Sequence, residues 1–229
     1  MHKRIATLFE YPAKAAFGRV LPKNKIYEHA SPTAGLKELF VRQVDQIVWK
    51  YKLAPETINL PSTNAVPEIQ IFYVTLKNGE LKQDVLRCID KAIPLPLIFE
   101  LHHNDKCKVI ASYKRPNAAN SEKWVVSDYF ETAWLPGGTT RMPLPVTLDL
   151  GALYENLLAS LMPYPAIGRE TLQDQIARIE QIRDKERELE QSKARLKREK
   201  QFNRKVEINA EIRTIVHEIE SLTAAATTR

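Results

Sequence analysis

The sequence predicts an α+β body followed by a long C-terminal helix. Two observations carry this. Between residues 45 and 135, runs with apolar residues at two-residue steps are broken by stretches with three- and four-residue steps. That mixture fits a mostly antiparallel sheet with packed helices. From Pro165 to Leu222 there is then no further proline and a single glycine, Gly168. Leu172, Ile176 and Ile179, and later Ile208, Ile212, Ile215, Ile219 and Leu222, recur there at helical spacing. The reading is a globular body over 1–163 and a helical or coiled-coil appendage over 164–229, with no internal repeat.

Residues 1 to 30 give no clear pattern, and Leu21 to Tyr27 reads as a short basic segment or loop. Ser31-Pro32 reads as a helix start, a capping hydroxyl before a first-turn proline, with Leu36, Leu39, Phe40 and Val44 on one face. The period changes at Asp45. Ile47, Trp49, Tyr51 and Leu53 alternate as a half-buried strand. Residues 54–67 hold three prolines and read as loop. Glu68 to Lys77 is rich in β-branched and aromatic residues, a central strand ended by Asn78-Gly79. Leu81, Val85, Ile89 and Ile93 make the stripe of a helix that Pro94 and Pro96 stop.

Leu97 to His102 and Cys107 to Lys114 flank a turn at 103–106 and predict a hairpin. A further strand spans Lys123 to Leu135, then a loop at Pro136-Gly-Gly-Thr-Thr140. Leu148 to Met162 is an amphipathic helix, and Met162-Pro-Tyr-Pro165 is the hinge into the appendage. With neither glycine nor proline to mark a turn beyond Gly168, the appendage reads as one continuous helix. A helical hairpin bent at Gln201-Phe-Asn203 is the alternative, with the Ile208 to Leu222 seam packed on 172–189.

The chain has 229 residues, 44% of them hydrophobic, and a formal net charge of +6. That is enough apolar material for a core and argues against global disorder. Two cysteines, Cys88 and Cys107, give no disulfide framework and point to a reducing compartment. The N-terminus lacks an apolar stretch of secretory length, and no run approaches the roughly 20 apolar residues of a membrane span. The expected location is the cytoplasm, with no membrane partner.

Several runs resemble one family. They are Lys91-Ala-Ile-Pro-Leu-Pro-Leu-Ile-Phe-Glu-Leu101, Tyr129-Phe-Glu-Thr-Ala-Trp134, Leu144-Pro-Val-Thr-Leu148, Leu153-Tyr-Glu155 and Glu199-Lys-Gln-Phe-Asn-Arg-Lys-Val-Glu-Ile-Asn209. Ile47-Val-Trp-Lys-Tyr-Lys-Leu53 and Thr57-Ile-Asn-Leu60 add to them. Together they resemble a bacterial and archaeal domain-of-unknown-function family over almost the whole chain. The resemblance implies a setting beside helicase and DNA methyltransferase genes, in restriction-modification-like phage-defence operons. It implies no activity and no catalytic residue.

The positive surplus is concentrated in Lys193, Arg195, Lys197, Arg198, Lys200, Arg204 and Lys205, with Glu199 opposing. Such a stretch can meet a phosphate backbone by charge alone. The plainer alternative is a solvated helix face, which Glu186, Glu188 and Glu190 upstream favour. Phe202 is apolar in this polar stretch and reads as a partner-binding anchor. Val206, Ile208, Ile212, Ile215 and Ile219 extend the docking seam.

Asp45, Glu68, Glu100 and Lys114 lie near strands and suggest a metal-dependent nuclease, but no compact Asp…Glu-X-Lys pattern accompanies them. Glu100, His102, His103 and Cys107 gather near a hairpin without the spacing of a zinc site. The glycine-containing loop at 136–140 lacks the lysine and following helix of a phosphate-binding loop. No catalytic residue, metal or cofactor is therefore assigned. The expected function is a non-enzymatic accessory subunit of a helicase/methyltransferase-type phage-defence complex. It docks to a protein partner, a helicase or methyltransferase subunit or a second copy, through its C-terminal helix and contacts DNA with its basic stretch. The alternatives are a divergent nuclease effector and a purely structural dimerisation protein.

Overall fold

The computed structural model describes residues 8–117 and 124–224. The expectations at the extreme N-terminus and at Lys123 lie outside them. The chain divides into two compact units, residues 1–162 and 163–229.

The body begins with β1 (Leu8–Glu10), a 3-10 turn (Ala13–Ala15), β2 (Ala16–Val20), α1 (Lys23–Ala30) and α2 (Ala34–Gln43). The capping expectation at Ser31 is corrected. Ser31 sits at φ 49° in the left-handed region and closes α1, its N–H donating to Tyr27 O. Thr33 starts α2 instead, accepting from Leu36 N. The sequence left α1 as loop because its polar composition hides the buried Ile26 and Ala30.

Next come β3 (Val44–Leu53), the short α3 (Pro55–Ile58) inside the expected loop, β4 (Ile69–Leu76), α4 (Gln83–Ala92), β5 (Leu97–His103) and β6 (Lys106–Pro116). The described part of the body ends with β7 (Trp124–Glu131), β8 (Leu135–Pro136), β9 (Arg141–Pro143) and α5 (Leu150–Leu161). The fold class is α+β.

The main sheet runs β2-β3-β4-β5-β6-β7, with β8 also on β6. All pairs are antiparallel except β4–β5, which are parallel because α4 crosses over between them. A separate parallel pair joins β1 to β9. The β5–β6 hairpin turns at Asn104 and Asp105, φ 45° and 54°, two residue types that tolerate the left-handed region. The core under α1, α2 and α4 gathers Phe40, Phe72, Phe99, Val85 and Ile89, each at most 1% exposed. Burying side chains of this size contributes roughly 1.5 to 3 kcal/mol each.

The second unit holds α6 (Leu172–Arg198) and α7 (Phe202–Ala224). The expected continuous helix is corrected to a hairpin. Pairs such as Lys185–Glu218 (2.7 Å) and Arg195–Glu211 (2.6 Å) place the helices side by side and antiparallel. The break needs no glycine. Glu199 is extended at ψ 138°, and its carboxylate accepts from Lys200 N (2.7 Å) and Gln201 N (2.8 Å). Those bonds hold Lys200 and Gln201, the residues between α6 and α7, in the turn. Among the described residues no helix is long and apolar enough to cross a membrane.

Candidate functional site

At the turn end of the hairpin, Lys193, Arg195, Lys197, Arg198, Lys200, Arg204 and Lys205 are all exposed. Two of them are engaged: Lys193 pairs with Glu190 and Arg195 with Glu211. Lys197, Arg198, Lys200, Arg204 and Lys205 have no carboxylate within ion-pair reach among the described residues. Glu199 sits among them, its carboxyl held below the usual range, chiefly by the amides of Gln201 and Lys200. Phe202, the first residue of α7, is 78% exposed, and Val206, one turn on, is 49% exposed. A cleft of about 520 Å³ between the helices is lined by Arg198, Arg204, Glu207 and Ile208, among others.

The rest of the expected docking seam behaves differently from Phe202. Ile215 is 3% exposed, and Ile208, Ile212 and Ile219 are half-buried. At the open end of the hairpin, buried Arg178 bonds both Glu170 oxygens at 2.8 Å and the carbonyls of Pro165 (2.8 Å) and Leu222 (3.4 Å). Thr171 and Asp174 form a capping box. One end of the hairpin is thus tied by a saturated guanidinium, and the other presents unpaired cations.

The body holds two buried charge clusters. On β5, Glu100 is fully buried, and Arg141 of β9 grips it with two bonds of 3.0 and 2.8 Å. Arg141 also donates to Phe9 O at 2.8 Å, so one side chain ties β1, β9 and the main sheet. Tyr11 and Tyr73 lie close by. Burial, then the Glu100 charge, pushes both hydroxyls well above their ordinary range. The His102 ring lies 4.5 Å from the Tyr73 ring, tilted by 41°, and its Nε2 is 3.8 Å from Glu100 Oε2, too far for a hydrogen bond. Burial pushes the imidazole below its ordinary value, with Arg141 adding and Glu100 opposing. His102 and Arg141 line an open cleft of about 530 Å³ with Lys77, His103 and Lys106.

The second cluster centres on Lys114, buried in β6. Its ammonium donates to the last carbonyls of α4, Asp90 O (2.9 Å) and Ile93 O (2.6 Å), and lies 3.1 Å from Asp90 Oδ1. A cation at a helix C-terminus complements the helix dipole. Tyr129 donates its hydroxyl proton to Asp90 Oδ2. A bulge between Ser112 and Lys114 breaks the β6–β7 ladder. Tyr154 of α5 satisfies the freed groups, donating to Ser112 O (2.6 Å) and accepting from Lys114 N (3.1 Å). Burial pushes Lys114 down and Asp90 up, each opposed by the charge of its partner.

This geometry disperses the nuclease set. Asp45 is exposed, Glu68 pairs with Lys52 (3.1 Å), Glu100 with Arg141 and Lys114 with Asp90. Among the described residues no group of three or more His, Cys, Asp or Glu is placed to hold a metal. Cys88 and Cys107 are buried free thiols. The 136–140 loop is a plain turn, with Gly137 N donating to Asp105 O (2.7 Å). Gly137 passes so close to Asp105 that a β-carbon there would collide with it. Sequence reasoning missed Arg141, Asp90 and Tyr154, whose partners lie 24 to 132 residues away.

A family model described as "Domain of unknown function (DUF4391)" matches residues 9–219. The chain belongs to the DUF4391 family. No curated protein and no solved structure matches it. The DUF4391 match covers the charge clusters of the body and the turn of the hairpin alike.

Proposed function

We propose that this chain is an accessory subunit that contacts nucleic acid through the turn of its C-terminal hairpin. The observation that carries this is the set Lys197, Arg198, Lys200, Arg204 and Lys205, exposed and with no carboxylate within ion-pair reach among the described residues. Cations already held by carboxylates would have to exchange partners to meet phosphate. These five do not. A phosphate backbone supplies the opposite charge at regular spacing, and each contact releases counterions. Contacts of this type position a protein and carry no sequence information directly. The family resemblance supports a cytoplasmic setting beside a helicase and a DNA methyltransferase of a phage-defence system. Loading or positioning is the contribution a basic hairpin would make there.

The test is duplex binding by the full-length chain at low salt, followed by fluorescence anisotropy on two unrelated sequences. The parent should bind both with similar affinity. Lys197→Gln, Arg198→Gln and Lys200→Gln together should weaken both alike, because glutamine removes all three charges and keeps the helix propensity at Lys197 and Arg198, the end of α6. Equal binding by parent and triple variant would reduce the stretch to a solvated face.

A further inference from the structure

We infer that the hairpin turn prefers single-stranded to duplex nucleic acid, with Phe202 stacking on an unpaired base. This rests on the function proposed above and names the form of its ligand. Phenylalanine is among the residue types most often buried, yet Phe202 is 78% exposed. It opens α7 directly after a turn bearing Lys197, Arg198 and Lys200, with Arg204 and Lys205 following it. Lys205 and Val206, three and four residues on, share its helix face. Glu199 is bound to the amides of Lys200 and Gln201, so its side chain is committed to the turn.

A duplex stacks its bases on one another and offers a surface ring nothing but backbone and groove. A single strand exposes base faces between phosphates. Aromatic side chains set among cations are the recurring solution for holding it. A protein partner fits this surface less well. The cores of protein interfaces are depleted of charge, whereas here the exposed apolar surface is Phe202, with cations on both sides, and Val206, between Lys205 and Glu207. Charge complementarity therefore selects a polyanion with accessible rings.

The experiment uses the full-length chain with three labelled probes: oligothymidylate, an abasic oligomer of the same length, and a duplex of that length. The parent should bind oligothymidylate more tightly than the other two. Phe202→Ala should lose on the order of tenfold on oligothymidylate, as loss of base stacking predicts. It should lose little on the abasic strand or the duplex, with the slope against salt unchanged. Phe202→Trp should restore binding. Far-UV circular dichroism confirms that the hairpin is intact in each variant.

Phe202→Ala binding oligothymidylate like the parent, or losing as much on the abasic strand, would overturn the inference. So would an unchanged affinity for all three probes together with loss of a co-purifying protein, which would make Phe202 a protein-docking anchor. Salt-dependent binding that persists while Phe202→Ala is silent defeats this inference alone. Absence of salt-dependent binding to any probe defeats the proposed function as well.

Discussion

The body and the hairpin use cations in opposite ways. Lys114 and Arg141 are held inside the body by carboxylates and backbone carbonyls, and each ties together elements distant in sequence. At the hairpin turn, Lys197, Arg198, Lys200, Arg204 and Lys205 stand in solvent with no carboxylate within ion-pair reach among the described residues. Net charge alone does not separate these cases. Pairing and burial do: a saturated cation belongs to the fold, and an unsaturated exposed one is available to a ligand. Arg178 shows that the rule operates within the hairpin too, since the guanidinium at its open end is as fully engaged as those of the body.

The largest effect that would break this comparison lies at Lys114. Removing one member of a buried pair strands the other, typically costing about 3 to 5 kcal/mol. Lys114→Ala should destabilise the body by that order, and denaturant unfolding followed by tryptophan fluorescence measures it. All three tryptophans, Trp49, Trp124 and Trp134, are in the body, so the signal reports on that unit. Glu100→Ala should cost somewhat less, because Arg141 is 29% exposed and can turn to water. A cost below about 1 kcal/mol for Lys114→Ala, the scale of an exposed pair, would mean that this lysine is not structural.

The next effect tests the hairpin as a packed unit. Ile215→Ala should cost about 2 kcal/mol, the low end for truncating a buried aliphatic, because the two-helix seam is thin. The helical signal in circular dichroism should melt earlier, with the tryptophan transition moving less. Equal shifts in both signals would show that the two units unfold as one.

How much of this was legible in the sequence follows from the range of each interaction. The strand at Ile69–Leu76 and the stripe Val85 and Ile89 are local periodicities, and the sequence reading located both. The cations of the hairpin turn were legible as a charge run, but their freedom was not, since it depends on where Glu211 and Glu190 fall in space. The bend at Glu199 escaped because the reading looked for glycine or proline, whereas a carboxylate bonded to two amides makes the turn. Lys114 was noticed for the wrong chemistry, its partner Asp90 being on a helix 24 residues earlier.

A smaller effect separates the units by pH. His102 is held below its ordinary value by burial, so the folded body favours neutral imidazole and the unfolded chain binds the proton better. Stability from this group is present above the ordinary histidine value of about 6.5 and declines as pH falls through it. Glu170 is held below its ordinary value by Arg178, so its contribution to the hairpin persists to lower pH. It is lost only as pH falls below about 4.3. Acid titration should therefore weaken the tryptophan-monitored body first, and His102→Asn should flatten that early loss. An unaltered profile in the variant would assign the loss to another group.

The smallest change in stability belongs to the turn, and it carries the central claim. Replacing Lys197, Arg198 and Lys200 with glutamine should leave folding within about 0.5 kcal/mol, as for surface positions generally. The decisive measurement is the slope of log affinity against log salt for duplex DNA, parent against triple variant. The account predicts a steep slope in the parent, flattened by about 0.9 for each phosphate contact the three residues make. Identical slopes in parent and variant would contradict it, leaving the exposed cations of the turn as a solvated surface.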